Sequence, residues 1–180
     1  MKKFLYLFVP VIAGVLMFVS CNKSGSTASA TKKDSVAMPM KVSYSSSFTI
    51  SDSARYVQEV LQSYKDWEDN KLDNGKTYFA DTISWDFSDG SKGKMKADSA
   101  IKHFQKDRDS LSSSKIDMIS VVGLHSTDKN EDWVSVWYKQ TDTYKTGKVD
   151  SNVFNDVNHI KGGKIDYWTS LRQALKPAKK

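Results

Sequence analysis

The sequence predicts one α+β domain, helices first and an antiparallel sheet after, behind an N-terminal leader. Three observations predict it. Two stretches in the first half place apolar residues every three or four positions, which is the period of a helix with one buried face. Four runs in the second half alternate apolar with polar residues and are separated by short turn-forming sequences. The residues before about 40 show neither period.

The leader comes first. Lys2 and Lys3 precede an apolar run, Phe4 to Val19, broken only by Pro10 and Gly14 and ending at "FVSC" with the only cysteine, Cys21. The run falls short of the ~20 residues a bilayer needs, and a Ser/Thr/Lys tract follows at once, so residues 1–20 are expected to be a signal peptide. "VSC" resembles the lipobox of bacterial lipoproteins, in which the cysteine is lipidated and becomes the first residue after cleavage. That resemblance implies lipidation at Cys21, with a soluble secreted protein cut near Ser20 as the alternative. A lone cysteine makes no disulfide framework, which suits an anchor better than a staple. Asn22 follows the cysteine, and in such lipoproteins this permits transfer to the outer membrane. The expectation is a lipid-anchored protein of the bacterial cell envelope, at the outer membrane, whose first partner is the membrane.

Residues 21–40 are Ser, Thr, Ala, Lys and Gly without apolar period; they cannot bury enough surface to offset chain entropy and are expected to be a flexible tether. Residues 41–176 have the length of one domain, and 177–180 form a basic tail. The formal charge of the 180-residue chain is +6, and about +4 once Lys2 and Lys3 leave with the leader. The excess is spread out and the arginines are scattered. Nucleic-acid binding, which favours Lys and Arg concentrated on one face, is therefore not expected.

Within the domain, "SDSARYVQEVLQSYKDWEDN" puts Val57, Val60, Leu61, Tyr64 and Trp67 on one helical face, with Ser51 or Asp52 expected to cap its start. A short helix is expected around Thr77 to Ala80, then a strand, Thr82 to Phe87, in which Ile83, Trp85 and Phe87 share a face. Gly90 and Gly93 mark a turn. "KADSAIKHFQKDRDSL" then aligns Ala97, Ile101, Phe104, Arg108 and Leu111 on a further helix. Four strands follow, Lys115 to Leu124, Trp133 to Tyr144, Val149 to Ile160 and Lys164 to Leu171, divided by "STDKNED", "KTGK" and "GG". Helices on one face of a strongly curved sheet fit this order.

Two motifs carry a family resemblance: "ADTISWDF…DG…G" before the second long helix and "D-x-x-x-I-x-x-G-K-I" in the final hairpin. With the element order they resemble the nuclear-transport-factor-2-like (NTF2-like) superfamily, which includes SnoaL-like polyketide cyclases and ketosteroid isomerases. The resemblance covers Asp52 to Gln173. It implies a cone-shaped α+β fold, a curved antiparallel sheet with about three helices packed on its concave face, and a pocket between the two. It does not settle chemistry, because this fold hosts enzymes and binding modules alike.

Strand parity then nominates the pocket. If Gly162-Gly163 is a two-residue turn, His159 pairs with Asp166 and Asn158 with Tyr167, so that Phe154, Asp156, Asn158, Ile160, Ile165, Tyr167 and Thr169 share one face. An even-numbered loop at "KTGK" puts Trp137 opposite Asp156; a single bulge puts Tyr138 there instead. The expected ligand pocket is Tyr64, Trp67, Trp85, Phe87, Trp137, Asp156, Asn158 and Tyr167, suited to a small apolar ligand. Val157 and Trp168 fall on the outer face, where a homodimer is expected.

The resemblance also bears on catalysis. Ketosteroid isomerases use a carboxylate base at the end of the first strand, a tyrosine on the first helix and a protonated aspartic acid on the penultimate strand. These positions fall on Phe87, at or beside Tyr64, and on Asp156. Asp86, next to Phe87, has the opposite strand parity. The base is missing, so a non-catalytic ligand-binding or interaction module is expected, with an enzyme using Asp156 as its acid as the alternative. His159 is expected to pair with Asp166 on the outer face. His103, His125 and His159 have no metal-ligand spacing, and neither metal nor cofactor is expected.

Overall fold

The computed structural model describes residues 39–40 and 47–175. The expected signal peptide, Cys21, nearly all of the tether and the basic tail lie outside the described residues. The fold belongs to the second of two compact units, Val42–Lys180. Its elements are β1 (Phe48–Ile50), α1 (Ala54–Glu68), a 3-10 helix (Leu72–Thr77), β2 (Phe79–Phe87), β3 (Lys92–Lys96), α2 (Ala97–Asp109), β4 (Leu111–Ser126), β5 (Glu131–Tyr144), β6 (Val149–Lys161) and β7 (Lys164–Ala174).

The strands form one curved sheet in the order β1-β4-β5-β6-β7-β2-β3. The sheet is mixed, not antiparallel as expected, because β7 runs parallel to β2. The meander β4-β5-β6 leads the chain away and β7 returns between β6 and β2, where it meets β2 head to head. β1 and β3 were not expected as strands. β1 is only three residues and wholly exposed, and β3 sits where a turn was expected. The turn is made by Gly90 alone, at φ 86°. Gly93 lies inside β3 under the Trp85 ring, where a Cβ would stand 2.0 Å from Trp85 Cζ2, so only glycine fits this close approach.

The apolar stripe of α1 packs on the sheet: Val60 is fully buried in a cluster with Tyr78, Val134, Val136, Tyr138, Ile160 and Ile165. Neither expected cap forms. Ser53 is the N-cap without a side-chain bond, and Ser51 Oγ instead accepts the Ser53 N–H at 3.2 Å. At the other end Arg108 reaches from α2 and donates to the carbonyls of Trp67 and Glu68, at 2.6 and 3.0 Å. Those are among the orphan acceptors of a helix end, which explains a buried arginine on an apolar stripe. The short helix comes earlier than expected: it ends at Thr77, and Phe79 already opens β2. Ile83, Trp85 and Ala100 form a second cluster, with Phe87, Phe104 and Trp168 packed against it.

Two parity differences matter most. Tyr144 N–H bonds the Lys148 carbonyl at 2.8 Å, leaving a loop of residues 145–147 closed by Gly147 at φ 85°. This odd loop, with glycine in the left-handed position, sets Val136 opposite Asp156. Trp137 consequently points outward, 44 % exposed, and Tyr138 takes the inner face. In the last hairpin the Gly162-Gly163 turn has both φ positive and Ile160 pairs with Ile165 as expected. A bulge at Asp166 then shifts the register, so that His159 pairs with Tyr167 and Asn158 with Trp168. Tyr167 leaves the inner face and Trp168 enters it. The expected outer dimer surface therefore loses Trp168 and keeps Val157.

Candidate functional site

A cavity of about 370 Å³ opens between the inner face of the sheet and α1, the 3-10 helix and α2. Its lining includes Asp156, an inner-face residue of β6 that is 4 % exposed. Tyr64 from α1 and Tyr138 from β5 both donate their hydroxyls to Asp156 Oδ2, at 2.8 and 2.9 Å. Oδ1 is buried without a hydrogen-bond partner. Burial pushes the Asp156 carboxyl above its ordinary range, while the hydroxyls of Ser170, Tyr64 and Tyr138 pull partly the other way. Burial and then the Asp156 charge hold Tyr64 and Tyr138 well above the ordinary phenol value, so both remain donors. Asn158, two residues along the same face, donates to the Val134 carbonyl at 3.2 Å.

The walls differ. Tyr64, Tyr138 and Phe154 form one: Tyr64 meets Tyr138 edge-on at 4.9 Å, and Tyr138 stacks on Phe154 at 5.3 Å. The other centres on Trp168, which stacks on Phe79 at 6.0 Å and meets Phe104 at 5.2 Å and Phe87 at 5.6 Å. Away from Asp156, toward the Asp142–Asp150 pairing of β5 and β6, Trp67 Nε1 donates to Ser114 Oγ at 3.1 Å, and that hydroxyl donates to Asp142 at 2.6 Å. Gln140 holds the same carboxylate through both oxygens. The mouth carries Ser88, Asp89 and Arg172, all exposed, with Arg172 bonded to Asp150 at 3.2 Å.

Of the expected pocket residues, Tyr64, Trp67, Phe87, Asp156 and Asn158 line this cavity. Trp85 shares the inner face but is core: it is 6 % exposed and packed among Gly93, His103, Phe104 and Trp168. Trp137 and Tyr167 are excluded by the two parity shifts. Lining residues outside the expected pocket include Phe154, expected on the same face, Tyr138, expected there only with a bulge, and Phe79, Phe104, Asp142 and Trp168. The glycine at the third loop position of "KTG" was a usable signal for Tyr138; the bulge that turns Trp168 inward has none. Asp86 points outward to Lys92 at 2.8 Å. His159 pairs with Asp166 at 2.6 Å and His125, inside β4, with Asp132 at 2.9 Å. Among the described residues no group of His, Cys, Asp or Glu is disposed to hold a metal ion.

Chemically the cavity offers one buried carboxyl, Asp156, steadied by two phenols on Oδ2 and with its second oxygen buried as well. The facing wall of Phe79, Phe87, Phe104 and Trp168 supplies contact area and no proton acceptor.

No protein-family model and no curated protein sequence matches the chain. Solved structures do. An NTF2-like protein of unknown function from Burkholderia pseudomallei superposes with TM-score 0.55 at 14% identity, over 67% of this chain and 92% of that one. A protein from Acidithiobacillus ferrooxidans assigned as a polyketide cyclase gives TM-score 0.55 at 13% identity, over 69% and 92%. An LEH-like epoxide hydrolase from M. tuberculosis gives 0.54 at 8% identity, over 66% and 83%. At these identities the likeness shows the fold: the domain is an α+β domain of NTF2-like architecture.

Proposed function

We propose that this chain is a small-ligand-binding module of the bacterial cell envelope, held by a lipid on Cys21, whose ligand lies between the two aromatic walls. The observation that carries the reading is the cavity of about 370 Å³ itself, lined by two aromatic walls and by Asp156, whose Oδ2 is held by the Tyr64 and Tyr138 hydroxyls. Cavities of this size with apolar walls and one or two fixed polar groups are the usual form of small-molecule sites. Phe87 stands where the resembled isomerases carry their base, which favours binding over turnover. The anchor rests on the sequence alone, through "VSC" and Asn22.

A second reading keeps the same cavity and makes Asp156 an acid for a polyketide-like or steroid-like ketone. Its support is the raised Asp156 carboxyl between two phenols. Titrating the full chain with steroids and polyketide-like ketones, while following the emission of Trp67 and Trp168 together with product formation, separates the two. Binding without turnover is expected. Turnover abolished in both Asp156→Asn and Asp156→Ala overturns the binding-module reading. The anchor has its own measurement: Cys21→Ser is expected to release the protein from the membrane fraction, and a wild type already found free of membrane refutes it.

A further inference from the structure

Along the inner face of the β5–β6 pairing the cavity lining comes in layers. Tyr138 pairs with Phe154, Gln140 with Asn152 and Asp142 with Asp150, in that order away from Asp156, and all six line the cavity. Same-face neighbours on a strand stand about 7 Å apart, so a layer of two amides lies roughly one ring's length beyond a layer of two aromatic rings. The carboxylates past it are already answered within the chain. Asp142 accepts from the Ser114 hydroxyl at 2.6 Å and from Gln140 Nε2 through both oxygens, at 3.0 and 2.9 Å. Asp150 is held by Arg172 at 3.2 Å.

Asn152 is different. It is only 6 % exposed, yet its side chain makes no hydrogen bond among the described residues. Its amide atoms are not sealed in protein as Asp156 Oδ1 is, and the space they meet is the cavity they line. Buried amides are as a rule hydrogen-bonded, so this one is kept for something that enters. Its neighbour narrows the choice. A carboxylate only accepts, so Gln140 turns its Nε2 to Asp142 and leaves Oε1 as an acceptor. The layer therefore presents a donor and an acceptor side by side on Asn152 and a further acceptor on Gln140. Water fills such a place in the empty protein, and a ligand group gains by displacing it only if it reproduces both bonds. A ketone brings an acceptor alone, an ammonium brings donors alone, and a carboxylate brings no donor and stands beside Asp142 and Asp150.

We infer that the ligand of this cavity carries a neutral carboxamide, a primary amide or a lactam, paired N–H to Oδ1 and C=O to Nδ2 with Asn152, on an aromatic or apolar body that lies against Tyr138 and Phe154. The inference rests on reading the cavity as a binding site, and makes Asn152 the residue that selects the head group.

Three probes of one outline test this on the full chain by titration calorimetry: 2-naphthamide, 2-acetylnaphthalene, in which a methyl replaces the amide nitrogen, and 2-naphthoate. The amide is expected to bind about tenfold tighter than the ketone, the equivalent of one to two net hydrogen bonds, and the carboxylate weakest of the three. Asn152→Leu, close in size and without polar atoms, is expected to bring the amide down to the affinity of the ketone while leaving the ketone within about twofold. If Asn152→Leu does not fold, Asn152→Asp keeps the outline, removes the donor, and should erase the same preference. His159→Gln, on the outer face, serves as the control and should change none of these. Binding of the ketone or the carboxylate as tight as that of the amide overturns the carboxamide inference and leaves the binding reading intact, as does an amide preference that survives in the Asn152 variants. Absence of binding by all three overturns both.

Discussion

The two walls of the cavity are built from the same kind of residue to different ends. Around Trp168 and Trp85 the aromatic rings interlock with Ile83, Ala100 and Met95, and the one polar ring among them, His103, stacks on Trp85. Around Tyr138 the rings end in hydroxyls that converge on one carboxylate. The Trp168 wall is apolar throughout; the Tyr138 wall, whose ring is itself part of the core, also places a carboxyl at the void. The difference separates stability from polarity in this molecule. Removing ring atoms on either side should destabilise it, whereas removing the Asp156 carboxyl from the Tyr138 side should mainly change the character of the cavity.

The largest expected effect tests the first half of that statement. Trp85→Ala empties the space between Gly93 and Phe104 and should cost about 3–5 kcal/mol, read by chemical denaturation. Gly93→Val should come close, since its first added carbon already lies within the Trp85 ring. Asp156→Ala is expected to cost less, about 1–3 kcal/mol, because it strands two buried phenols, while Asp156→Asn keeps an acceptor for both. Should Asp156→Ala prove as damaging as Trp85→Ala, the division between the walls fails.

Next comes pH. The Asp156 carboxyl titrates higher in the folded than in the unfolded chain, so the native state binds the extra proton between the two values. Stability from this group is fully present below the unfolded carboxylate value and is lost as pH rises through the folded one. Wild type should therefore gain stability relative to Asp156→Asn as the pH is lowered from 7 toward 4, measured as the difference in denaturation midpoints. A difference that is flat with pH would show that Asp156 is not held in this way. The smallest effect belongs to the outer face: His159→Gln removes the pair with Asp166, and part-exposed pairs of this kind are worth about 0–1 kcal/mol.

The legibility of these parts in the sequence follows their periodicity. The α1 stripe, the Ile83-Trp85-Phe87 face and the Gly162-Gly163 turn all follow from local chemistry, and they suffice to place Asp156, Asn158, Tyr64 and Phe87 on the cavity. β3 was hidden because Gly93 reads as a turn residue when its partner, the Trp85 ring, is out of sight. Trp137 and Tyr167 were misplaced for one reason expressed twice. A one-residue change of register reverses every side chain beyond it, and the two that displace these residues, the odd loop at Gly147 and the bulge at Asp166, are decided by packing across strands. Trp168 could not have been foreseen as a wall of the cavity, because it turns inward only where His159 and Asp166 absorb the extra residue.

The parallel pairing of β2 with β7 also orders events in time. Thr169 bonds the Asp86 carbonyl across 83 residues of sequence, so this seam is expected to close after the more local pairings of the meander. Long-range pairings of this kind are slow to form. Until β7 inserts between β6 and β2, Trp168 has no Phe79, Phe87 or Phe104 to meet, and the cavity has one wall. The second wall is thus expected to form last, read as a change in tryptophan emission that follows the helical signal of α1 and α2.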